Sequence, residues 1–169
     1  DMAATYPISL ADLWVEPDDT EAGVVVMRAA ASQVTSRVFE RREQDGTLAP
    51  YYEYRDTAMS SAAPYKPEWI SQLRHVAAND AENPSVVFNH GHLLHQLTFF
   101  IGEVNFYWIS GGTKHCTQMN TGDSCYIVPF VPHSFTSRNA REPGLIIAVA
   151  YAGQISRALD ALSHLSAAQ

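Results

Sequence analysis

The sequence predicts an all-β protein, an antiparallel barrel or jelly roll that one short helix closes. Short apolar and β-branched segments recur at regular intervals along the chain, and turns rich in glycine separate them. Only the last stretch changes from a two-residue to a three- or four-residue apolar spacing. With 46% hydrophobic residues among 169, the chain can bury the core of a single domain.

The predicted elements form an arm, a barrel and a helix in that order. Residues 1–22 predict an N-terminal arm, residues 23–152 the barrel, and residues 153–169 a C-terminal helix packed on the barrel. Residues 69–76 fit either a short strand or a helical turn. The predicted strands of the barrel are 23–28, 34–42, 51–55, 85–88, 96–101, 104–109, 125–128, 134–136 and 145–151.

Charge and composition exclude several classes of partner. The net charge of -7 argues against nucleic acid or an anionic membrane as the main partner. The longest apolar run, residues 145–152, is too short to cross a bilayer. No leader pattern opens the chain, so we expect a cytoplasmic protein. The two cysteines, Cys116 and Cys125, are expected to be free thiols rather than a disulfide across a hairpin.

One eight-residue stretch concentrates side chains that can bind a metal. Alternate residues of a strand share a face, so His90, His92 and Gln96 can point the same way while His95 points outward. His133, behind a later strand-like segment, can join them across a barrel interior. Imidazole groups suit iron, zinc, copper or nickel. The sequence therefore predicts one metal site inside the barrel.

The spacing of these residues resembles the two cupin motifs. Residues 90–102 read His-x-His-x3-Gln-x5-Gly, with glutamine where cupins usually carry glutamate. Residues 122–133 read Gly-x6-Pro-x3-His, which is similar to the second motif but lacks the glycine before its histidine. The resemblance implies the double-stranded β-helix of a cupin barrel, a fold whose members commonly pair into homo-oligomers.

A narrower resemblance is to the phosphonate-processing non-haem iron cupins. It is carried by residues 89–96, 99–108 and 129–135, and it extends over about residues 50–150. The tyrosine-rich residues 51–54 resemble the strand that contacts the phosphonate in this family. The family's helical domain, which precedes the barrel and lends a lysine to the active site, has no counterpart in the pattern of residues 1–40.

The resemblance also implies a ligand set and a cofactor. His92, Gln96 and His133 fall on the metal-ligand positions, so Fe(II) is the expected cofactor. Glutamine as third ligand is typical of methylphosphonate synthases, whereas the epoxidases of the family use glutamate in that position. The dioxygenases instead use a carboxylate six residues before the second histidine, a position that Ile127 holds here.

A second group of residues is expected to bind the substrate. Asn89 matches an asparagine that binds phosphonate in the family, and His90 is expected beside it. Tyr52 and Tyr54 alternate along one strand and are the expected catalytic and substrate-binding tyrosines. An arginine can pair bidentately with a phosphonate, and Arg42 is the first candidate, with Arg41 and Arg55 as alternatives.

The expected activity is an Fe(II)- and O2-dependent oxidation of a small phosphonate. In its most specific form, 2-hydroxyethylphosphonate is cleaved at its C–C bond to methylphosphonate. Three alternatives stay open: the sister dioxygenase or epoxidase reaction, a metal-binding cupin without catalysis, and a zinc or manganese isomerase or lyase. The last of these needs a general acid or base, and no carboxylate obviously lines the predicted site.

Overall fold

The computed structural model describes residues 19–43, 45–61, 63 and 65–151, in which one short helix precedes nine β-strands. The predicted N-terminal arm up to residue 18 and the predicted C-terminal helix lie outside the described residues. The elements, numbered in chain order, are α1 Ala29–Val34, β1 Arg37–Arg42, β2 Leu48–Asp56, β3 Tyr65–Gln72, β4 His95–Ile101, β5 Val104–Ser110, β6 Thr113–Met119, β7 Ser124–Ile127, β8 His133–Ser137 and β9 Leu145–Tyr151.

The strands form two antiparallel sheets. The larger has six strands in the order β1-β2-β3-β9-β4-β7, and the smaller has three in the order β6-β5-β8. Strands far apart in sequence are neighbours, since β9 lies between β3 and β4. This long-range pairing is the hallmark of a jelly roll, so the predicted all-β cupin-like fold is confirmed. No helix among the described residues is long and apolar enough to span a membrane.

The core lies between the two sheets and is built from aromatic and aliphatic side chains. Phe100 of β4 packs against Phe106 of β5 and Phe135 of β8, with ring centroids 6.5 and 6.0 Å apart. Ile146 of β9 is also buried there. Gln96 lies on the same inward face of β4 as Phe100, because the two are separated by an even number of residues. The strand thus carries a polar side chain into one end of an apolar core.

A bulge in β2 buries two successive tyrosines. Phe39 of β1 pairs with Tyr52, but Glu40 pairs with Pro50, so Tyr51 is an extra residue between them. Without the bulge, Tyr51 and Tyr52 would point to opposite faces. Both side chains are buried, and their rings meet edge to face at 4.7 Å.

The hydroxyl groups of these two tyrosines share one partner in β8. Tyr51 Oη and Tyr52 Oη lie 3.0 and 3.2 Å from Ser134 Oγ. Tyr51 Oη also accepts the N–H of Val87, and Tyr52 Oη accepts the N–H of Phe135. Each tyrosine hydroxyl therefore donates its own proton to Ser134 Oγ, which has two lone pairs. The network ties the β1–β2 side of the barrel to the smaller sheet.

Replacing Ser134 with alanine is expected to lower the free energy of unfolding by about 2–4 kcal/mol, because two buried hydroxyl groups lose their acceptor. Urea unfolding followed by circular dichroism measures the change. Ser110→Ala, at the exposed end of β5, serves as the matched control and should leave the midpoint unchanged. Equal stability of the Ser134 variant and the wild type would contradict this account of the network.

Two predicted strands are wrong. Residues 23–28 form a turn and an irregular segment, because Ala22 and Gly23 adopt positive φ angles of 51° and 83° that a strand does not allow. The alanine-rich segment that follows becomes α1, in keeping with the high helix propensity of alanine. Residues 85–88 are irregular as well. Of the ambiguous segment 69–76, residues 69–72 belong to strand β3 and the rest lies outside it, and both cysteines are free as expected.

Candidate metal centre

The three predicted metal ligands converge at one end of the core. His133 is the first residue of β8, Gln96 is the second residue of β4, and His92 lies in the loop before β4. His92 Nε2 is 3.1 Å from Gln96 Oε1, and the two imidazole rings are 5.1 Å apart at 83°. Strand alternation predicted that His92 faces the same side as Gln96. In the structure, His92 reaches Gln96 from a loop.

Each imidazole is held through its Nδ1 atom. Nδ1 of His92 lies 2.8 Å from the carbonyl oxygen of Leu94, and Nδ1 of His133 lies 2.8 Å from that of Val131. Since a carbonyl only accepts, both Nδ1 atoms carry the proton and both Nε2 atoms keep a lone pair. Such an anchored tautomer is the usual arrangement of a metal-ligating histidine.

The amide of Gln96 is oriented for the same purpose. Its Nε2 donates to Thr98 Oγ1 at 2.9 Å, so its Oε1 faces His92. Two acceptor atoms then face each other at 3.1 Å, which is unfavourable unless a cation lies between them. Two ligands that each lie about 2.1 Å from one ion at a right angle are about 3.0 Å apart. The residues present therefore fit a bound metal ion.

The site is uncharged. Within the described part of the chain, no group of three His, Cys, Asp or Glu side chains is placed to hold a metal. Burial, together with the nearby His92, lowers the pKa of His133 to about 4, although the Val131 carbonyl opposes the shift. His133 is therefore neutral at pH 7 and binds a metal without losing a proton. Two imidazoles and an amide leave the full charge of a divalent ion uncompensated.

Asn89 joins the ligand loop to β8. Its Oδ1 accepts the N–H of His133 at 2.8 Å and the N–H of Gly91 at 2.9 Å. Its Nδ2 then donates to His133 Nε2, 3.0 Å away. A metal bound at this nitrogen would replace that hydrogen bond and free the Asn89 N–H for an anion beside the ligands.

A small cavity is lined by two of the predicted ligands, Gln96 and His133, and by a cation, Arg41. Arg41 is half-buried, and its buried Nε has no hydrogen-bond partner among the described residues. In the same part of the chain, Arg41 forms no ion pair. A guanidinium group with an unpaired buried donor is a ready site for an anion. The residues lining the cavity are Arg41, Tyr52, Tyr54, Ile70, Asn89, Gln96, His133, Phe135 and Ile146.

The two predicted tyrosines differ in what their hydroxyl groups contact. Tyr52 Oη is hydrogen-bonded to Ser134 Oγ and to the N–H of Phe135, both in β8. Tyr54 Oη has no hydrogen-bond partner among the described residues. Burial and the charge of Glu68 raise the pKa of Tyr54 to about 12, although Arg41 opposes the shift. Tyr54 therefore keeps its proton at pH 7 and can donate it to an anion in the cavity.

A wider pocket of about 490 Å³ shares the arginine and tyrosine wall of this cavity. Two ion pairs lie in its lining, Arg37–Asp56 at 2.8 Å and Lys66–Glu68 at 2.9 Å. Arg41 is the cation of this lining that has no acidic partner among the described residues. An anion that enters through the wider pocket would meet Arg41 next.

Two of the predicted substrate contacts lie elsewhere. His90 is exposed and does not line the cavity. Arg42 points to the opposite face of β1 and donates to the Gly46 carbonyl at 2.6 Å, whereas Arg41 lies at the cavity. Alternation along β1 explains the difference, since neighbouring residues face opposite sides. Arg55, the other alternative, stacks on Trp69 with its guanidinium 4.0 Å from the ring centroid.

Two known proteins resemble nearly the whole chain. The chain is 48% identical over 164 residues to methylphosphonate synthase from Nitrosopumilus maritimus (strain SCM1). The aligned region covers 94% of this chain and 35% of that protein. It superposes on HEPD of Streptomyces albus, solved with 2-hydroxyethylphosphonate and Fe(II), with a TM-score of 0.79 and 48% identity, over 95% of this chain and 36% of that one.

A more distant structure shares the fold. Hydroxypropylphosphonic acid epoxidase from S. wedmorenis has a TM-score of 0.56 at 20% identity, over 80% of this chain and 63% of that one. No protein-family profile matches the chain. The chain spans about a third of the length of the methylphosphonate synthase and HEPD that it matches. The resemblance carried by the sequence motifs is thus confirmed: nearly the whole chain is related to one segment of methylphosphonate synthase and of HEPD.

Proposed function

We propose that this chain is the iron-binding barrel of an Fe(II)- and O2-dependent phosphonate oxygenase, with His92, Gln96 and His133 as ligands. The observation that carries the proposal is the convergence of these three neutral groups near a half-buried cation, Arg41, whose buried Nε has no partner among the described residues. Methylphosphonate synthase, at 48% identity, favours oxidative cleavage of 2-hydroxyethylphosphonate to methylphosphonate.

The residues around the cavity have two tasks. Arg41, Tyr54 and the Asn89 amide offer a positive charge and hydrogen-bond donors to the phosphonate group. His92, Gln96 and His133 are the ligands for the metal. When bound, Fe(II) supplies the one-electron chemistry with O2 that protein side chains lack. A substrate with a phosphonate at one end and a hydroxyl two carbons away is held with its hydroxyl end towards the metal.

The overall reaction balances without a further reductant. One 2-hydroxyethylphosphonate and one O2 contain the atoms of one methylphosphonate, one carbon dioxide and one water. The substrate therefore supplies all four electrons that O2 accepts. No pocket for a co-substrate such as 2-oxoglutarate has to be assumed.

The uncharged ligand set leads to a test at Gln96. Because no carboxylate of the described residues joins the site, a dianionic phosphonate supplies the missing negative charge, and metal binding should be weak without substrate. Changing Gln96 to glutamate is expected to strengthen Fe(II) binding about 10-fold or more in the absence of phosphonate. Anaerobic titration with Fe(II) measures this, and unchanged affinity would argue against Gln96 as a ligand.

The proposed activity is tested by anaerobic reconstitution with Fe(II), addition of 2-hydroxyethylphosphonate, and exposure to O2. We expect one O2 consumed per phosphonate and methylphosphonate as the product in the 31P NMR spectrum. A wild-type protein that binds Fe(II) but consumes no O2 with the phosphonate would instead indicate a metal-binding cupin without catalysis.

The second candidate is the dioxygenase-type reaction on the same substrate, which HEPD favours at 48% identity. Its product, hydroxymethylphosphonate, is separated from methylphosphonate by the same spectrum. Gln96 and the apolar, buried Ile127 favour the synthase-type outcome, since the resemblance places the dioxygenase carboxylate at position 127. Self-association and a cytoplasmic location stay predictions from the sequence.

A further inference from the structure

The loop that carries His92 meets the loop that precedes His133, and at Gly91 the two backbones come into close contact. Gly91 adopts a φ of +73°, and a Cβ atom at this position would lie 2.6 Å from the carbonyl carbon and 2.8 Å from the Cα of Phe130. Real Cβ atoms essentially never approach other heavy atoms so closely. Only glycine therefore allows the two loops to come this near, in a contact that lies one residue from one predicted ligand and three from the other.

Two backbone hydrogen bonds flank this contact. The N–H of Phe130 donates to the carbonyl of His92 at 2.8 Å, and the N–H of Asn89 donates to the carbonyl of His133 at 3.0 Å. The four bonded residues include both predicted histidine ligands. The distance between the imidazoles is thus fixed by a direct backbone joint and not only by the packing of distant strands.

Phe130 itself is held in an unusual conformation. Its φ is +67°, in the left-handed region that a bulky residue rarely adopts. Burial does not explain this conformation, because the side chain is 67% exposed. The joint with Gly91 and His92 is what holds the backbone there, and strained backbone of this kind persists where surrounding contacts determine it.

We propose that Gly91 is a positioning residue for the metal site: the close backbone joint between Gly91 and Phe130 sets the spacing of His92 and His133. This inference rests on the proposed metal-binding function. It adds two residues that touch neither metal nor substrate and act by holding the ligands in place. Wild-type metal binding is established first, so that loss of the proposed function and loss of the joint are distinguished.

The first test compares two glycines that share a positive φ. Gly91→Ala adds the clash with Phe130, whereas Gly112→Ala, at a φ of +78° with nothing within 4 Å, adds only the conformational cost. Titration with Co(II), followed by its visible absorption, measures affinity and ligand geometry together. We expect Gly91→Ala to bind Co(II) about 10-fold to 100-fold more weakly with an altered spectrum. Gly112→Ala should match the wild type, and equal affinity of all three proteins would overturn the proposal.

The second test does not depend on Gly91→Ala being folded. Phe130→Val and Phe130→Gly both remove the aromatic ring, but valine resists a positive φ and glycine adopts it freely. We expect weaker Co(II) binding for the valine variant than for the glycine variant, with apo proteins that melt as one transition. An equal loss of Co(II) affinity in both variants would assign the effect to the aromatic ring. No loss in either variant would show that the backbone joint does not affect metal binding. Either result would overturn the proposal.

Discussion

Replacing His133 with alanine is expected to weaken Fe(II) binding by at least about 100-fold and to abolish O2 consumption. Changes to residues that merely orient a ligand already cost about 10-fold to 100-fold in metal affinity, and loss of the ligand itself exceeds that range. The buried imidazole presents Nε2 to the site, and its Nδ1 is anchored on the Val131 carbonyl. Anaerobic titration and metal analysis after dialysis measure the effect.

The informative comparison is with His90→Ala. In cupins generally, the first motif histidine is a ligand, and that position is His90 here. The structure places His90 on the surface and outside the cavity, so its replacement should leave Fe(II) affinity unchanged. Thermal unfolding in the presence of a chelator shows whether each apo variant is folded. Strong loss in His90→Ala with little loss in His133→Ala would refute the ligand set.

The sequence predicts the inward orientation of Gln96 for a simple physical reason. Strict alternation from Gln96 to Phe100 fixes which residues of β4 face the core, and it turns His95 outward, where its ring stacks on Tyr126 and Tyr151. Antiparallel pairing with β9 and β7 on either side then holds the strand in register. Local pattern and tertiary structure agree at this position.

The sequence does not predict the features that depend on irregular backbone. The positive φ of Gly91 belongs to an irregular loop, so strand parity does not apply to His90 and His92. The bulge at Tyr51 depends on pairing between β1 and β2, which no local pattern reveals. The same holds for the contact of Tyr51 with Ser134, which joins residues 83 positions apart. These long-range relations complete the site and are visible only in three dimensions.

The second large effect is expected at Arg41. Arg41→Met keeps the apolar stem of the side chain but removes its charge and all of its hydrogen-bond donors. A hydrogen bond to a charged group contributes about 1.5–3 kcal/mol, so we expect the KM for 2-hydroxyethylphosphonate to rise about 10-fold to 100-fold. Affinity for Fe(II) without phosphonate should stay close to that of the wild type, since Arg41 is not one of the proposed ligands.

Arg42→Met is the matched control, because it removes the same group from the adjacent residue on the other face of β1. Its KM should equal that of the wild type.

The free energy of unfolding separates a binding role of Arg41 from a structural one. The buried Nε of Arg41 lacks a partner in this part of the chain, so its removal should raise the free energy of unfolding of the apo protein by about 1 kcal/mol. A variant that is less stable and binds phosphonate normally would mean that Arg41 supports the barrel rather than the substrate. An Arg41 variant that is more stable but no longer binds the phosphonate would mean that Arg41 lowers the stability of the barrel and is kept for the anion it binds.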